Sequence, residues 1–430
     1  MAKQFKKTKL ATAVCAAAGL GLASSANAVV VVGGDNGWEV SFDGNINAFY
    51  TVGDFDGGFT TLGLGNAPGT APAIDTSRVA SGFLPAFFSF NVKSPTVNGM
   101  TATGRFSFAP AIQNANNKNQ VFGAIGLNGG LQGRSQVIQG SSIDMREVVV
   151  NLDGAFGTVS FGRTLSIFGR QAILKDMTLF GVGSSQMQQG SVAAGRIGRG
   201  YTYPNFNARF SYKTPNINGF QAEIGLYDPS NETLSTGNIL NETDTPRFEG
   251  EVSYTTAFSG GSFQVWVDGL WQDIESSAVG ATADVQVTGY GVGANVKVSG
   301  FDLVGYYYNG EGLGRSLQFV GGTRCNGAGT TCQENDADGY YVQGTYTFNG
   351  KTKIGASWGE SSEDGFSANA PAGLGATNGV DLSMWTVGVY HDINSWLKVI
   401  AEYNHLENDW DNNAGSVEAD TFSVGSFLFW

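Results

Sequence analysis

Residues 29–430 contain no long hydrophobic run, and none of their apolar stretches approaches the roughly 20 residues that a membrane-spanning helix needs. Helical membrane proteins are therefore excluded. Basic side chains are also scarce, with 24 Lys and Arg against 37 Asp and Glu and a net charge of -13. A chain with this balance does not favour nucleic acid or anionic membrane faces, so we expect no nucleic-acid partner.

Histidine is nearly absent, which argues against catalysis. The chain has two histidines, His391 and His405, and neither lies in a recognisable nucleophile motif. General-base and nucleophilic mechanisms need such a base within reach of the reacting group. We therefore interpret both histidines as structural residues and expect no catalytic residue, no enzyme activity and no cofactor.

Cysteine is also rare, with three residues in the chain. Cys15 lies near the amino terminus, whereas Cys325 and Cys332 are separated by six residues, and no histidine lies within 50 residues of them. A metal site would need more ligands nearby, so in an exported protein this pair predicts a disulfide and no metal site. Closing so short a loop would stabilise it by about 2–3 kcal/mol in the chain-entropy model.

The first 28 residues have the pattern of a secretory signal peptide. An apolar stretch from Leu10 to Leu22 precedes the small-residue cleavage site Ala26-Asn27-Ala28. The basic residues before that stretch are Lys3, Lys6, Lys7 and Lys9. We therefore expect residues 29–430 to form the mature domain, with 20 basic against 37 acidic side chains and a charge of −17.

Runs of about ten residues, in which apolar side chains alternate with polar or small ones, recur along residues 29–430. In one run, Ile46, Ala48 and Tyr50 alternate with Asn45 and Asn47. This period of two is that of a β-strand with two different faces. Strands in soluble sandwiches average about 5 or 6 residues, whereas strands of about nine or more fit a bilayer span.

Very short connections alternate with long ones along the chain. Turn-forming Gly, Asn, Pro, Asp and Ser mark seven tight turns. These turns are 95–99, 154–157, 215–219, 259–261, 299–300, 349–350 and 392–395. The long connections are near 56–81, 114–141, 169–200, 229–246, 276–283, 310–337, 360–379 and 408–418.

Seven turns and eight loops join sixteen strands, an even number that puts both termini on the same side. The sheet must close, because an open edge cannot stay unpaired in hydrocarbon. We therefore expect an all-β fold, a single 16-stranded antiparallel transmembrane β-barrel over residues 29–430. Its turns should be periplasmic, together with both termini, and its long loops extracellular.

The last strand ends in Phe427-Leu428-Phe429-Trp430. Here the chain resembles outer-membrane barrel proteins generally, whose terminal strand ends in an aromatic residue that marks them for barrel assembly. A terminal tryptophan also fits an interfacial girdle, because its ring is apolar and its N–H can bond at headgroup depth. This resemblance implies a location in the outer membrane of a Gram-negative bacterium.

The third long connection, residues 169–200, is unusually apolar for a loop. Ile173, Leu174, Met177, Leu179 and Phe180 occur within eight residues of one another. A loop surrounded by water would not need these side chains, whereas one that folds inward against the barrel wall would. We therefore predict an inward-folded third loop.

With sixteen strands and this loop, the chain resembles the general trimeric porins, especially the beta-proteobacterial type. The motifs that carry the resemblance are Phe161-Gly162-Arg163, Gly169-Arg170-Gln171, Asp176 and Phe180-Gly181. The resemblance implies a homotrimer in contact with outer-membrane lipid and lipopolysaccharide, and passive diffusion of ions and small polar solutes. It also implies that residues 169–200 form the pore constriction.

The alternation of faces selects residues for the pore wall. Arg105, Arg209 and Lys213 alternate with outward aromatic residues and should face the lumen, whereas Arg146 and Arg163 break the alternation and could lie in the lumen or at a rim. The constriction loop itself contributes Arg170, Lys175 and Asp176. This loop lacks the Pro-Glu-Phe signature of the enterobacterial relatives, so the acidity of the chain does not by itself predict cation preference.

Two alternative functions remain open on the sequence. A sugar channel needs an aromatic track, and Trp266, Tyr306, Tyr308 and Tyr341 all fall on inward positions. A channel selective for sugars or for anions such as phosphate is therefore one alternative. The other is an adhesion or structural barrel whose exposed loops bind partners.

Overall fold

The structure is a computed structural model. It describes residues 29–34, 36–59, 72–113, 143–185, 193–233, 239–240, 243–275, 284–325, 331–365, 378–411 and 414–430. The predicted signal peptide and the whole of the second long loop, 114–141, lie outside these ranges. In the ranges described, no helix is both long and apolar enough to cross a membrane.

The described residues form 22 strands and two short helical segments. The first eleven strands are β1 (Val29–Gly33), β2 (Glu39–Phe55), β3 (Ile74–Ala80), β4 (Phe87–Lys93), β5 (Thr101–Pro110), β6 (Ile143–Gly154), β7 (Gly157–Leu165), β8 (Phe206–Lys213), β9 (Phe220–Tyr227), β10 (Glu232–Thr233) and β11 (Ile239–Leu240). The others are β12 (Arg247–Phe258), β13 (Gly261–Glu275), β14 (Asp284–Val298), β15 (Phe301–Glu311), β16 (Thr323–Cys325), β17 (Cys332–Glu334), β18 (Asp336–Phe348), β19 (Thr352–Glu363), β20 (Val380–Asp392), β21 (Leu397–Trp410) and β22 (Gly415–Phe429). Helix α1 (Arg170–Lys175) and a 3-10 turn (Met177–Phe180) lie between β7 and β8.

Sixteen antiparallel strands close into one barrel, as predicted. Neighbours in sequence pair around the ring, and β2 pairs with β22 to complete it. The hairpins β10–β11 and β16–β17 lie outside the ring. In β2, Asn45, Asn47 and Thr51 are buried while Ile46 and Tyr50 are exposed, so the polar face points inward and the apolar face outward. Closure leaves no unpaired edge, which a bilayer requires.

The predicted tight turns are present between the strands. Four of them place Asn98, Asn218, Ser299 and Asn349 at positive φ, each followed by a glycine that also has positive φ. Two successive residues with positive φ form the mirror-image type I′ turn, whose twist matches that of the paired strands. The local sequence therefore sets the register of these hairpins.

The second barrel strand is interrupted and begins earlier than predicted, since a loop at 56–81 followed by a continuous strand was expected. Both β3 and β4 pair with β2, so residues 74–80 are strand and the break falls at residues 81–86. In the break, the Gly82 N–H donates to Asn47 Oδ1 at 2.8 Å and the Phe83 N–H donates to the Gly181 carbonyl at 2.8 Å. The strand is interrupted because its backbone turns inward to bond with another loop.

The connection between β7 and β8 folds inside the barrel, as predicted. We call its described part, residues 166–185 and 193–205, the inner loop. Ile167, Phe168, Arg196 and Tyr201 in it are fully buried. Its contacts are with side chains from the inner face of the barrel wall, which fixes its place in the lumen.

A second inward segment was not predicted. Residues 312–322, after β15, bury Leu313 and Leu317 and lie against the inner loop. The Tyr203 N–H donates to the Ser316 carbonyl at 3.0 Å, and Thr202 Oγ1 donates to the Gly314 carbonyl at 2.9 Å. Two loops rather than one therefore fill part of the lumen.

Candidate pore constriction

Wall carboxylates hold the beginning of the inner loop. Glu249 Oε2 accepts the N–H groups of Ile167 and Phe168 at 2.8 and 2.9 Å, and Asp268 Oδ2 accepts that of Gly169 at 3.3 Å. Both carboxylates are almost fully buried on strands β12 and β13. Three backbone amides thus bond to two wall side chains, so this end of the loop is attached to the wall.

Arg170 extends this attachment through side-chain ion pairs. Its Nη2 lies 2.8 Å from Glu223 Oε2 and 3.4 Å from Glu251 Oε2, and Arg209 Nη2 lies 3.1 Å from Glu223 Oε1. The sequence placed Arg170 and Arg209 on the pore, and the structure brings them together around Glu223. Both arginines are buried, however, so they fix the loop to the wall instead of presenting charge to open water.

The middle of the inner loop lies against β18. The Tyr341 hydroxyl donates to the Ala172 carbonyl at 2.9 Å, and Gln343 Oε1 accepts the Met177 N–H at 2.6 Å. Gln343 Nε2 also donates to the Lys175 carbonyl at 2.9 Å. One strand thus supports helix α1 and the turn that follows it.

Asp176 makes its hydrogen bonds inside the inner loop. Its carboxylate accepts hydrogen bonds from the Thr178 N–H at 2.9 Å, the Thr178 hydroxyl at 2.6 Å and the Tyr201 hydroxyl at 2.8 Å. The residue is 3% exposed. The oxygens of Asp176 therefore bond within the inner loop and shape it, and its part in the constriction stays a prediction.

Glu402 on β21 holds the inner loop near its middle. Its Oε2 accepts the N–H groups of Val182 and Gly183 at 2.6 and 3.1 Å, and its Oε1 accepts the Tyr390 hydroxyl at 2.5 Å. Glu402 is 1% exposed. The loop is therefore attached to opposite parts of the barrel by the same device, a buried carboxylate that accepts two backbone amides.

The returning limb of the inner loop contains two buried arginines that were not selected from the sequence. Arg196 Nη1 donates to the Met384 carbonyl at 2.8 Å, and Arg199 donates to the carbonyls of Ser383 and Glu407 at 2.6 and 2.8 Å. One indication of them was present in the sequence, two arginines three positions apart in an otherwise apolar loop. Which wall carbonyls they reach is a tertiary property.

The aromatic residues proposed as a sugar track form a stacked group but do not line an open path. Trp266 and Tyr306 stack at 6.2 Å, and Tyr306 and Tyr308 stack at 6.5 Å. These three residues and Tyr341 are between 0% and 4% exposed. Lys175 lies over the Trp266 ring at 5.4 Å, so the inner loop covers this group.

Arg105 lies on the inner wall, as predicted, within a polar cluster. Its guanidinium is 2.9 Å from Asp43 and 2.7 Å from Glu147, and it donates to Ser89 Oγ at 2.8 Å. The side chain keeps 18% exposure. Arg105 therefore faces the lumen with its charge balanced by two carboxylates.

A β-bulge explains why Arg146 breaks the alternation of β6. Ser107 pairs with Glu147 and Phe108 pairs with Met145, which leaves Arg146 as an extra residue opposite the gap. Bulges of this kind redirect a side chain. Arg146 is accordingly 8% exposed, and its guanidinium lies 5.3 Å from the Phe206 ring.

Arg163 does not point into the lumen and lies two positions before the end of β7, so of its two predicted positions the rim remains. Arg163 is exposed and pairs with outward-facing Ala208, and it lies on the same face of β7 as Phe161. The inward positions of that strand are Ser160 and Thr164, both buried. Regular pairing on both sides of Arg163 keeps it on the outer face of the barrel.

Two half-buried lysines, Lys175 and Lys353, place positive charge beside the inner loop. Lys175 and Lys353 are half-buried and form no ion pair in the part of the chain that the structure describes, and Lys353 lies 5.0 Å from the Tyr390 ring. Lys398 is paired with Asp392 at 2.5 Å. Lys213, predicted to face inward, is half-buried next to the tight turn at 215–219.

Lys175 lies on helix α1, outside the membrane-spanning strands. Burial and the positive charge of Lys297 lower its pKa, Asp302 and Glu251 act in the opposite direction, and the net pKa is about 8. The side chain is therefore mostly protonated at neutral pH and loses its charge in moderately alkaline solution.

A small apolar cavity of about 40 Å³ lies between the inner loop and the wall formed by β4, β6, β7 and β8. Phe87, Leu165 and Phe206 line its wall side, and Ile173 and Leu179 line its loop side. Arg146 is the charged residue among the described residues that line it.

The predicted disulfide is confirmed, since Cys325 and Cys332 are bonded and pair across the hairpin β16–β17. His391 Nδ1 lies 2.8 Å from Thr352 Oγ1, and His405 Nδ1 lies 2.9 Å from Asp420 Oδ1. Within the described residues, no group of three or more His, Cys, Asp or Glu could hold a metal ion.

Comparison with known proteins agrees with this architecture. A family model described as Gram-negative porin matches residues 11–412. A search of curated proteins finds no match.

Three solved structures share the fold. The outer membrane channel DcaP of Acinetobacter baumannii has a TM-score of 0.65 and 14% identity over 94% of this chain and 100% of its own. An anion-selective porin from Comamonas acidovorans has a TM-score of 0.57 and 13% identity over 91% and 100%. OmpF of Salmonella typhi, in complex with daunomycin, has a TM-score of 0.54 and 13% identity over 94% and 100%.

Proposed function

The chain belongs to the Gram-negative porin family, and on that basis we propose that its inner loop sets the size limit for the solutes that pass. The protein is an outer-membrane channel for the passive diffusion of solutes. One observation carries the proposal: buried carboxylates attach the inner loop to the wall at its beginning, at Glu249, and near its middle, at Glu402. A loop held in this way narrows the lumen permanently.

The test is single-channel recording on the purified protein in planar bilayers. Wild-type protein should give conductance steps in KCl, and replacing residues 171–199 with a short Gly-Ser linker should increase the step size. A deletion of residues 366–377, in another predicted long loop, serves as the control and should change the steps much less. Unchanged conductance after removal of the inner loop would reject it as the constriction. A complete lack of conductance in the wild type would instead favour an adhesion or structural barrel.

An anion preference is the second candidate property, and a specific observation favours it. Several inward carboxylates have partners on the inner loop: Glu223 forms an ion pair with Arg170, and Glu249 and Glu402 accept backbone hydrogen bonds. Lys175 and Lys353, by contrast, form no ion pair within the described residues. Fixed charges at a narrow point determine ion selectivity. The likeness to the Comamonas porin shows the fold alone, so the proposal rests on the lysines.

Reversal potentials across a KCl gradient test this preference. We expect the wild-type channel to favour chloride, and the double variant K175M/K353M to lose most of that preference. The variant K351M, which removes an exposed lysine at a turn, controls for the loss of one positive charge. A wild-type channel that favours potassium would reject the proposal.

We also propose a homotrimer with periplasmic termini. Arg163 is exposed on the outer face, and an arginine that faces lipid near the bilayer midplane costs about 2–4 kcal/mol. A neighbouring subunit over β7 would remove that cost. Chemical cross-linking of outer-membrane fractions should give a trimer band, which R163A weakens, and a purely monomeric pattern would reject the trimer.

A further inference from the structure

Lysine side chains recur on the inner face of the wall close to the tight turns. Lys297, Lys353 and Lys398 lie on β14, β19 and β21, each within three residues of a predicted turn. Each is also two positions from a buried residue of its own strand, so all three side chains are on the inward face. Lys398 Nζ lies 5.6 Å from the ring of Phe180 on the inner loop. These lysines therefore lie beside the inner loop, on the side of the barrel where the tight turns are.

Lys175 on helix α1 adds a fourth positive charge from the inner loop. The charges of Lys175 and Lys297 act on each other. Lys353 is likewise within range of the charges of Lys398 and Lys297. Loop and wall together therefore bring four ammonium groups to one part of the lumen, and we call Lys175, Lys297, Lys353 and Lys398 the lysine group.

Two aspartates offset half of this charge. Asp302 lies 3.5 Å from the lysine of β14, and Asp392 lies 2.5 Å from the lysine of β21. Glu251 also acts on Lys175, but it is 3.4 Å from Arg170. Four lysines and two aspartates leave a net charge of +2 in this part of the lumen. Like charges repel each other, and an anion bound among them relieves that repulsion.

The spacing of the lysine group fits an elongated anion. Strands β15 and β18 lie between β14 and β19, and neighbouring strands are about 4.8 Å apart, so the backbones of Lys297 and Lys353 are roughly 14 Å apart. Only β20 separates Lys353 from Lys398, which gives roughly 10 Å. Flexible four-carbon stems let the ammonium groups close on a ligand from both sides. A solute with a charged group at each end can therefore contact more of the lysine group than a single small ion.

We propose that the lysine group binds small solutes with two linked phosphoryl groups as they pass the inner loop. An ammonium group binds phosphoryl oxygens as a point charge, whereas recognition of a planar carboxylate favours the two-pronged guanidinium of arginine. One phosphoryl group lies between Lys175 and Lys297, and the other lies between Lys353 and Lys398. This inference deepens the proposed anion preference and rests on it, because such a solute reaches the lysine group only through a channel that admits anions.

Block of the single-channel KCl current tests the site with three probes. Pyrophosphate carries two linked phosphoryl groups, phosphate carries one and glycerol carries none. Pyrophosphate should reduce the wild-type current at concentrations at least tenfold lower than phosphate, and glycerol should give no saturable block. The double variant K297M/K398M should raise the half-blocking pyrophosphate concentration at least tenfold, and K297M alone should raise it severalfold.

The control is K351M, which removes an exposed lysine at the turn between β18 and β19 and should be blocked like the wild type. Equal half-blocking concentrations of pyrophosphate and phosphate, or a K297M/K398M channel as sensitive as the wild type, would overturn the site. If the double variant fails to form channels, the three probes on the wild type and on K297M still decide. A chloride preference without pyrophosphate block rejects the site alone, whereas a potassium preference in reversal potentials rejects the proposed anion preference, so the two failures are distinguishable.

Discussion

Replacing Glu402 with glutamine should loosen the inner loop near its middle while preserving its shape. Glu402 Oε2 accepts two backbone N–H groups, from Val182 and Gly183, at 2.6 and 3.1 Å. A hydrogen bond to a charged group contributes about 1.5–3 kcal/mol, and a neutral one about 0.5–1.5 kcal/mol. Removing the charge from two such bonds should therefore destabilise the attached state by about 2–3 kcal/mol. The population of the released loop would then rise roughly 30- to 150-fold.

The expected readout of E402Q is increased noise in the open-channel current, together with faster amide exchange at Val182 and Gly183. The matched control is E418Q, which removes the same charge from an exposed position on β22. A second route to the same contact is G181A, because a Cβ on Gly181 would collide with the carboxylate of Glu402. An E402Q channel as quiet as the wild type, with unchanged exchange, would refute the idea that this carboxylate holds the loop.

Three further predictions concern charge, covalent structure and the outer face. Because the pKa of Lys175 is lowered to about 8, its charge is present below that pH and lost above it. Anion preference from reversal potentials should therefore fall as pH rises through about 8, and K175M should abolish this change. Replacing Cys325 and Cys332 with serine should leave conductance and barrel melting unchanged but increase proteolysis near residue 325, since the disulfide contributes about 2–3 kcal/mol locally. Phe210 is 64% exposed on the outer face, so F210R should lower the free energy of unfolding in lipid by about 2–4 kcal/mol, whereas F210L should not.

The barrel itself could be predicted because its signals are local. Each strand shows its own alternation, and turns such as Asn218-Gly219 and Asn349-Gly350 are encoded by two adjacent residues with positive φ. The error at β3 had a nonlocal cause. The backbone of Gly82 and Phe83 leaves the strand to bond with Asn47 and Gly181, partners that local patterns do not reveal.

The candidate site was predicted less completely. Alternation or loop composition selected Arg105, Arg170, Arg209 and Lys213, and all four are buried or half-buried in the structure. For Arg163 the sequence left the lumen and a rim open, since both positions are compatible with a residue that breaks the alternation. A bulge in β6 decided the position of Arg146, and bulges depend on pairing with the neighbouring strand.

The sequence by itself determined the closed barrel, its apolar outer face and the inward course of one apolar loop. These features could be predicted because the alternation of a strand and the chemistry of a turn depend on a few neighbouring residues. The tertiary structure alone decided which inward charges meet water. Glu402 and Val182 are 220 positions apart in the chain, yet their hydrogen bond turns toward the loop a carboxylate that the sequence would assign to the open pore. The geometry of the closed ring decides which charges meet across the lumen. The lysines beside the loop could therefore be identified as candidates for ion selectivity only once the partners of the acidic side chains were known.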